Sequence, residues 1–319
     1  MENNSDNDVL PDDKEVMINE IIRSLRKSPK EISCKYFYDE YGSELFEQIS
    51  DLKEYYLTRT EISILKSNIE DISEIIGENS LILELGSGSS RKIRILLDNL
   101  KSIAAYIPVD ISRDFLLNSV KQLSEEYTGL NIVPLVADYT QRFDIPDLDI
   151  DWSKIVAYYP GSTIGNFDPE QAVKFLKNMY DLCGPGSGLL IGIDLKKDRA
   201  ILEKAYNDNK GITAKFNLNI LQNMNTTFGS DFETEKWKHV AFYNEELGRI
   251  EMHLQSLEDQ TVRLNGTSIL FEKDERIHTE NSYKYSVEEF GGLIQDFYGL
   301  KKIWSDQNKK FAVCYFKAK

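Results

Sequence analysis

A doubly wound α/β fold, with a parallel sheet wrapped by helices and an α+β insertion, is predicted by three observations. Strand-like and helix-like stretches alternate between residues 58 and 196. The apolar run of "LILELGSGSSRKIRILL" (81–97) ends in a glycine turn that opens a helix. The alternation then breaks over 197–285, resumes at 286 and closes on two strand-like runs. Repeated strand–helix units of this length build parallel sheets, because each parallel strand needs a crossover to return the chain to the same edge.

Thr58-Arg59-Thr60-Glu61 reads as a capping box opening a helix through Ile76. The strand 81–85 follows, then the glycine turn and a helix to about Leu100, whose Ile93, Leu96, Leu97 and Leu100 recur at helical spacing. "AAYIPVDIS" is a second strand ending at Asp110, and "RDFLLNSVKQLSEEY" an amphipathic helix. "NIVPLVADY" is a third strand ending in Asp138, and "KIVAYYPGSTIGNF" a fourth, with Asn166 at its end. Asp168-Pro169 starts a helix by cap and proline, Cys183-Gly184-Pro185-Gly186 stops it, and "GLLIGIDL" is the fifth strand. Within the insertion, "RIEMHLQS" alternates apolar and polar residues, and Asn265-Gly266 turns a hairpin between "QTVRL" and "SILFE". Ser286-Val287-Glu288-Glu289 is a second capping box, opening a helix to Tyr298. The strands "LKKIWSD" and "KKFAVCYFK" then flank Gln307-Asn308.

Composition narrows the function classes. The 319 residues carry 38 Lys plus Arg against 53 Asp plus Glu, a formal charge of −15. That balance argues against nucleic acid, whose binding rests on neutralising phosphates. Cys34, Cys183 and Cys314 are far apart and outside any CxxC pattern, as expected of reduced thiols in the cytoplasm. No apolar run approaches the roughly 18 residues of a membrane span. "MENNSDNDVLPDDKE" is polar and acidic, unlike a signal peptide, and is expected to be a disordered tail. A small-molecule partner and a monomer are the expectation.

Three strand ends converge on one ligand. E-x-G-x-G closes the first strand at Gly86, Asp110 ends the second and Asp138 the third. In an open α/β sheet such ends line the crevice outside the carboxyl edge, where an acid accepts ribose hydroxyls. A dinucleotide needs a third glycine and a helix N-terminus facing its pyrophosphate, yet position 91 is Arg. S-adenosylmethionine (SAM), which has no phosphate, fits better. The five-strand core closed by a C-terminal hairpin resembles the class I SAM-methyltransferase fold.

"YFYDEYGSELFEQISDLKEYYLTRTE" (36–61), "ELGSGSSRK" (84–92), "YYPGSTIGNF" (158–167), "IEMHL" (250–254) and "HTENSYKY" (278–285) together resemble the histidine-specific Nα-methyltransferases of ergothioneine biosynthesis. The match runs in order along nearly the whole chain, though Leu57 stands where proline is expected. The resemblance implies three methyl transfers from SAM to the α-amine of L-histidine, giving hercynine. It implies cofactor contacts at Gly86, Lys92, Asp110, Asp138 and Tyr139. It places histidine contacts at Tyr56, Asn166, Tyr206, Glu280 and Ser282, with Tyr38 and Met252 lining the pocket. It divides the chain into an N-terminal tail and helical part of the substrate-binding domain (1–57), a SAM core (58–196), a substrate cap (197–285) and a closing segment (286–319). Relatives of this fold methylate other aromatic amino acids, tryptophan among them. A same-fold enzyme of that kind and a non-catalytic SAM-binding protein are the alternatives.

The chemistry suits those residue types. Asn and Tyr donate to a substrate carboxylate without holding the amine protonated. Glu280 and Ser282 lie two apart in an apparent strand and so face one side, able to accept from and donate to the two imidazole nitrogens. Methyl transfer needs chiefly alignment of a neutral amine with the sulfonium methyl. His239, His253 and His278 lack triad or metal-ligand spacing, so no general base and no metal are expected, and proton loss goes to water.

Overall fold

The computed structural model describes residues 11–88 and 90–319. Of the expected N-terminal tail, residues 1–10 lie outside the described residues, while 11–15 begin a helix. In chain order, α1 (Pro11–Leu25), β1 (Lys30–Glu31) and a 3-10 turn (Cys34–Phe37) precede α2 (Glu40–Ser50), α3 (Tyr56–Ser67) and α4 (Ile69–Ile76). The alternating region holds β2 (Ser80–Leu85), α5 (Arg91–Leu97), β3 (Ile103–Asp110), α6 (Arg113–Glu126) and β4 (Leu135–Val136). It continues through β5 (Lys154–Tyr159), a 3-10 turn (Thr163–Asn166), α7 (Pro169–Cys183) and β6 (Gly188–Asp194). Then come α8 (Arg199–Tyr206), α9 (Ile212–Phe228), β7 (Trp237–Asn244), β8 (Arg249–Ser256), β9 (Gln260–Leu264), β10 (Thr267–Phe271) and β11 (Arg276–Tyr283). The chain closes with α10 (Val287–Ile294), β12 (Tyr298–Ser305) and β13 (Phe311–Ala318).

The chain divides into two compact units. The larger comprises Phe46–Asp208, Tyr243–Ile250 and Asn281–Lys319. Its seven-stranded sheet runs β12-β13-β6-β5-β2-β3-β4, parallel except for β13, which is antiparallel to both β6 and β12. This is the class I methyltransferase topology expected from the sequence. The order reverses at β2, which pairs with β3 on one side and β5 on the other, so the switch point of the sheet lies where Gly86 leaves β2. Every residue of β2 and β6 is buried, as a strand covered on both faces requires. One face packs Leu81, Leu83, Ala157, Ile191 and Cys314 against Phe175, Leu176 and Met179 of α7 and Phe290 and Ile294 of α10. Each such aliphatic or aromatic side chain contributes about 1.5–3 kcal/mol on burial.

The smaller unit takes in the described residues up to Leu45, with Asn209–Phe242 and Glu251–Glu280. It contains α1, α9 and the β9–β10 hairpin, whose Asn265 and Gly266 both adopt positive φ (47° and 75°), as a two-residue turn demands. A four-stranded sheet runs β1-β11-β8-β7, and unit boundaries fall inside β7, β8 and β11. The insertion expected as 197–285 is therefore divided differently: Tyr206 and Ser282 belong to the larger unit, Tyr38, Met252 and Glu280 to the smaller.

Several local expectations are corrected. The helix expected over 58–76 is two helices that meet at Asn68, whose side-chain amide donates to the Ile64 carbonyl (2.8 Å). Its first residue is Tyr56, and Thr58 and Glu61 are buried rather than capping. The third strand shrinks to Leu135–Val136, with an isolated bridge from Tyr106 to Ile132, because Pro134 between them has no N–H for the ladder. Asn166 does not end a strand: β5 stops at Tyr159, and Pro160 with Gly161 (φ +81°) turns the chain into the 3-10 turn carrying it. The helices after the glycine turn and after Ser286 stop at Leu97 and Ile294, short of Leu100 and Tyr298. β8 is buried at every position after Arg249, despite its alternating sequence. The capping box at Ser286 forms as expected, and the expected cap-and-proline start at Asp168 is in addition closed by a capping box with Gln171.

Candidate active site

The cofactor residues expected from the sequence gather at the switch point. Gly86 (φ +70°) has no side chain to occupy the space beside Tyr139, where a β-carbon would sit 3.6 Å from the tyrosine ring. Asp110 ends β3, receives the Ser112 N–H on Oδ1 (2.9 Å) and reaches the Gly88 N–H with Oδ2 (3.4 Å). Burial raises its pKa, and the backbone N–H groups oppose the rise. Asp138 lies past the end of β4 and closes a turn onto the Thr140 N–H (3.0 Å), which leaves the adjoining Tyr139 over Gly86. Lys92, in the first turn of α5, pairs with the fully buried Glu61 (2.6 Å), whose carboxylate also accepts the Gly161 N–H (2.9 Å). Glu84, at the end of β2, is buried and bonded to the Tyr106 hydroxyl; burial lifts its pKa to about 8.

Beyond the end of β6 lies a buried ionic cluster. Asp194 is fully buried and accepts the Tyr56 hydroxyl (2.8 and 2.9 Å to its two oxygens). Lys197 donates to Asp194 (2.6 Å), to Tyr56 (2.7 Å) and to the Leu195 carbonyl. Lys284, also fully buried, pairs with Asp194 (2.9 Å) and donates to Ser282 (2.7 Å) and Tyr206 (3.2 Å). Tyr206 in turn donates to Ser282 (2.8 Å). Burial lowers the Lys197 pKa to about 8, against the pull of Asp194 and with the push of Lys284. Removing Asp194 would strand both buried cations, a loss of the kind that costs roughly 3–5 kcal/mol, whereas either lysine can go and leave Asp194 paired with the other.

Strand alternation sets which way β11 faces. Tyr283 and Asn281 both reach Asp168 (2.9 and 3.4 Å), as does Arg249 (3.1 Å). Ser282 and Lys284, one residue out of step, therefore face the other way, toward Tyr206 and Asp194. Asn166 is held beside this strand because Gly165 packs on it; a β-carbon there would lie 2.8 Å from the Tyr283 carbonyl. In the smaller unit, Tyr38 sets its ring edge-on to Phe216 (5.9 Å), and Met252 is buried on β8, its carbonyl accepting from Thr279 (3.0 Å). Glu280 is half-buried on β11, two residues before Ser282.

A family model described as histidine-specific methyltransferase, SAM-dependent, matches residues 17–318. The chain belongs to this family. The histidine N-alpha-methyltransferase of Mycolicibacterium smegmatis is 36% identical over 307 residues, covering 94% of each chain. That of Mycobacterium tuberculosis is 35% identical over 302 residues, covering 92% of each. Ergothioneine biosynthesis protein 1 of Neurospora crassa is 35% identical over 273 residues, which is 83% of this chain and 30% of that one.

The donor set of this family member fits SAM. Asp110 reaches the Gly88 N–H and Tyr139 lies beside Gly86 on the glycine turn, while the two cations described next to it, Arg91 and Lys92, are paired with Asp51 and Glu61 rather than left to meet a pyrophosphate. On that turn the hydroxyl of Ser87 is buried and has no hydrogen-bond partner among the described residues, a polar atom suited to a bound ligand. Sequence reasoning missed the buried ions. Asp194 was readable in principle as a carboxylate closing an otherwise apolar strand, but Lys197 and Lys284 sit in charged stretches that look solvated. Glu61 was visible and misassigned to a cap. The expected clamp of tyrosine donors also changes character, since the hydroxyl hydrogens of Tyr56 and Tyr206 go to Asp194 and Ser282.

Proposed function

We propose that this methyltransferase transfers methyl groups from SAM to the α-amine of L-histidine, three times in succession, producing hercynine for ergothioneine biosynthesis. The family match over residues 17–318 carries the reading. SAM supplies an electrophilic methyl group when bound. Asp110 accepts its ribose hydroxyls, Lys92 its carboxylate, and Asp138 with Tyr139 closes over the adenine. Asn166 donates its amide N–H groups to the amino acid carboxylate. Tyr56 and Tyr206 of the larger unit and Tyr38 and Met252 of the smaller are the further residues we assign to the amino acid, and Glu280 with Ser282, two apart on β11, reads the ring. The amine loses its proton to water before each attack, and the quaternary product has no lone pair left, which ends the sequence.

The test is to incubate the protein with SAM and each of the twenty amino acids and to weigh the products. Trimethylhistidine as the dominant product is expected. Preferential methylation of tryptophan or another amino acid replaces the substrate, and binding of SAM without any transfer replaces the reading with a non-catalytic one. No helix among the described residues is long and apolar enough to cross a membrane, in keeping with the cytoplasmic setting we propose.

A further inference from the structure

The hydrogens of the buried cluster can be followed one by one. Lys197 spends its three on Tyr56, Asp194 and the Leu195 carbonyl. Lys284 spends its three on Asp194, Ser282 and Tyr206. The hydroxyl hydrogens of Tyr56 and Tyr206 go to Asp194 and Ser282. Ser282 Oγ thus accepts twice, from Lys284 (2.7 Å) and Tyr206 (2.8 Å), which fills both lone pairs of a hydroxyl. Its own hydrogen is the one the cluster leaves over, and Ser282 can meet a ligand only by donating.

We propose that Lys284 is a positioning residue that locks Ser282 as a hydrogen-bond donor, so that β11 accepts a neutral ring carrying one N–H and one bare nitrogen. This rests on the reading above, in which Glu280 and Ser282 face the imidazole. Glu280 accepts from the N–H and Ser282 donates to the bare nitrogen, which fixes one tautomer. An imidazolium sets its second N–H head-on against the Ser282 hydrogen. An indole has no bare nitrogen to offer, so the donor is left buried and unsatisfied. Among the described residues, the charged and titratable groups facing this point are Asp194, Lys197, Lys284, Tyr56 and Tyr206, with Tyr55 against the Tyr206 ring, Lys310 over Tyr56, Asp306 acting on Lys197, Tyr243 beside Lys284, and Glu280 on the strand itself. Lys284→Met leaves Asp194 paired with Lys197, so no buried charge is stranded.

Two measurements test this. The first is nitrogen NMR of ring-labelled histidine bound to the wild-type protein with S-adenosylhomocysteine at about pH 6, near the ordinary imidazole pKa. One protonated and one bare ring nitrogen is the expected spectrum. The second is histidine affinity by calorimetry between about pH 5.5 and 8 for wild type and Lys284→Met. Wild-type binding should weaken toward tenfold per pH unit below the ring pKa. In Lys284→Met, Ser282 has a lone pair released and can turn to accept. The acid-side loss should then flatten, with affinity at neutral pH lower by about fivefold, the size of one neutral hydrogen bond. A bound ring protonated on both nitrogens in wild type overturns the role of Lys284, whether or not the variant folds. So does a variant that binds S-adenosylhomocysteine normally and keeps the wild-type pH dependence. Absence of any histidine binding overturns this proposal and the proposed substrate together, which separates the two failures.

Discussion

Individual side chains carry the sharpest tests. Asp110→Ala removes the carboxylate held between the Gly88 and Ser112 N–H groups and should weaken SAM binding by roughly 1.5–3 kcal/mol, the worth of hydrogen bonds to a charged acceptor. Calorimetric titration decides this, and unchanged affinity would move the ribose elsewhere. Glu280→Ala should cut kcat/KM for histidine at least tenfold, about 1.4 kcal/mol, while narrowing the gap to tryptophan. Kinetics on both amino acids check it; an unchanged histidine preference places ring recognition on other residues. At this scale the sequence was a good guide wherever a residue's position on a strand did the work. That Glu280 and Ser282 share one strand and one face is such a reading, legible from a spacing of two. That Tyr56, a proposed histidine contact, donates to Asp194 was not legible, because that partner lies 138 residues away in the chain.

Among elements, β6 shows how a strand can be shaped by a carboxylate that is not its own. A β-carbon on Gly192 would fall 2.3 Å from Glu61 Oε1 and 2.9 Å from the Phe311 ring. Gly192→Ala should therefore push Glu61 off the Gly161 N–H and Lys92, destabilising the fold by roughly 1–3 kcal/mol. Thermal unfolding measures this, and an unchanged melting temperature would mean that the site relaxes without cost. Element types were read well, since apolar runs, caps and the Asn-Gly turn are local signals. Boundaries were read less well where a tertiary partner intervened. Thr58 and Glu61 had capping-box spacing, yet burial of Glu61 against Lys92 decided their role. Asn166 looked like a strand end because nothing local showed how sharply the chain turns at Gly161 and Ser162, both with positive φ.

For the molecule as a whole, the parallel sheet, its C-terminal hairpin and an insertion were visible in the order of strand and helix signals. The unit boundaries were not, because they fall inside continuous strands where composition does not change. Acid stability offers a global test. Burial depresses the His253 pKa from the usual 6.5 to about 4, opposed by its hydrogen bond to Glu251 (3.0 Å). A depressed value means that the unfolded chain binds the proton more tightly. The contribution is complete above about pH 6.5 and is lost as pH falls toward 4, roughly 3 kcal/mol at most. The stability difference between wild type and His253→Gln should shrink across that window. Parallel curves would show that His253 takes up its proton in the folded protein as readily as in the unfolded chain.

The place of β13 has a consequence for how the protein is made. This strand, near the C-terminal end, is an interior strand between β6 and β12. A ribosome delivers β6 long before β13, so the nascent sheet waits with the edge of β6 unpaired, apolar and ready to bond to whatever strand comes first. Native closure occurs only after the hairpin has emerged. Until then that open edge is exposed to pairing with a neighbour on the same message, a hazard that a chaperone or slow translation of the intervening segment would reduce.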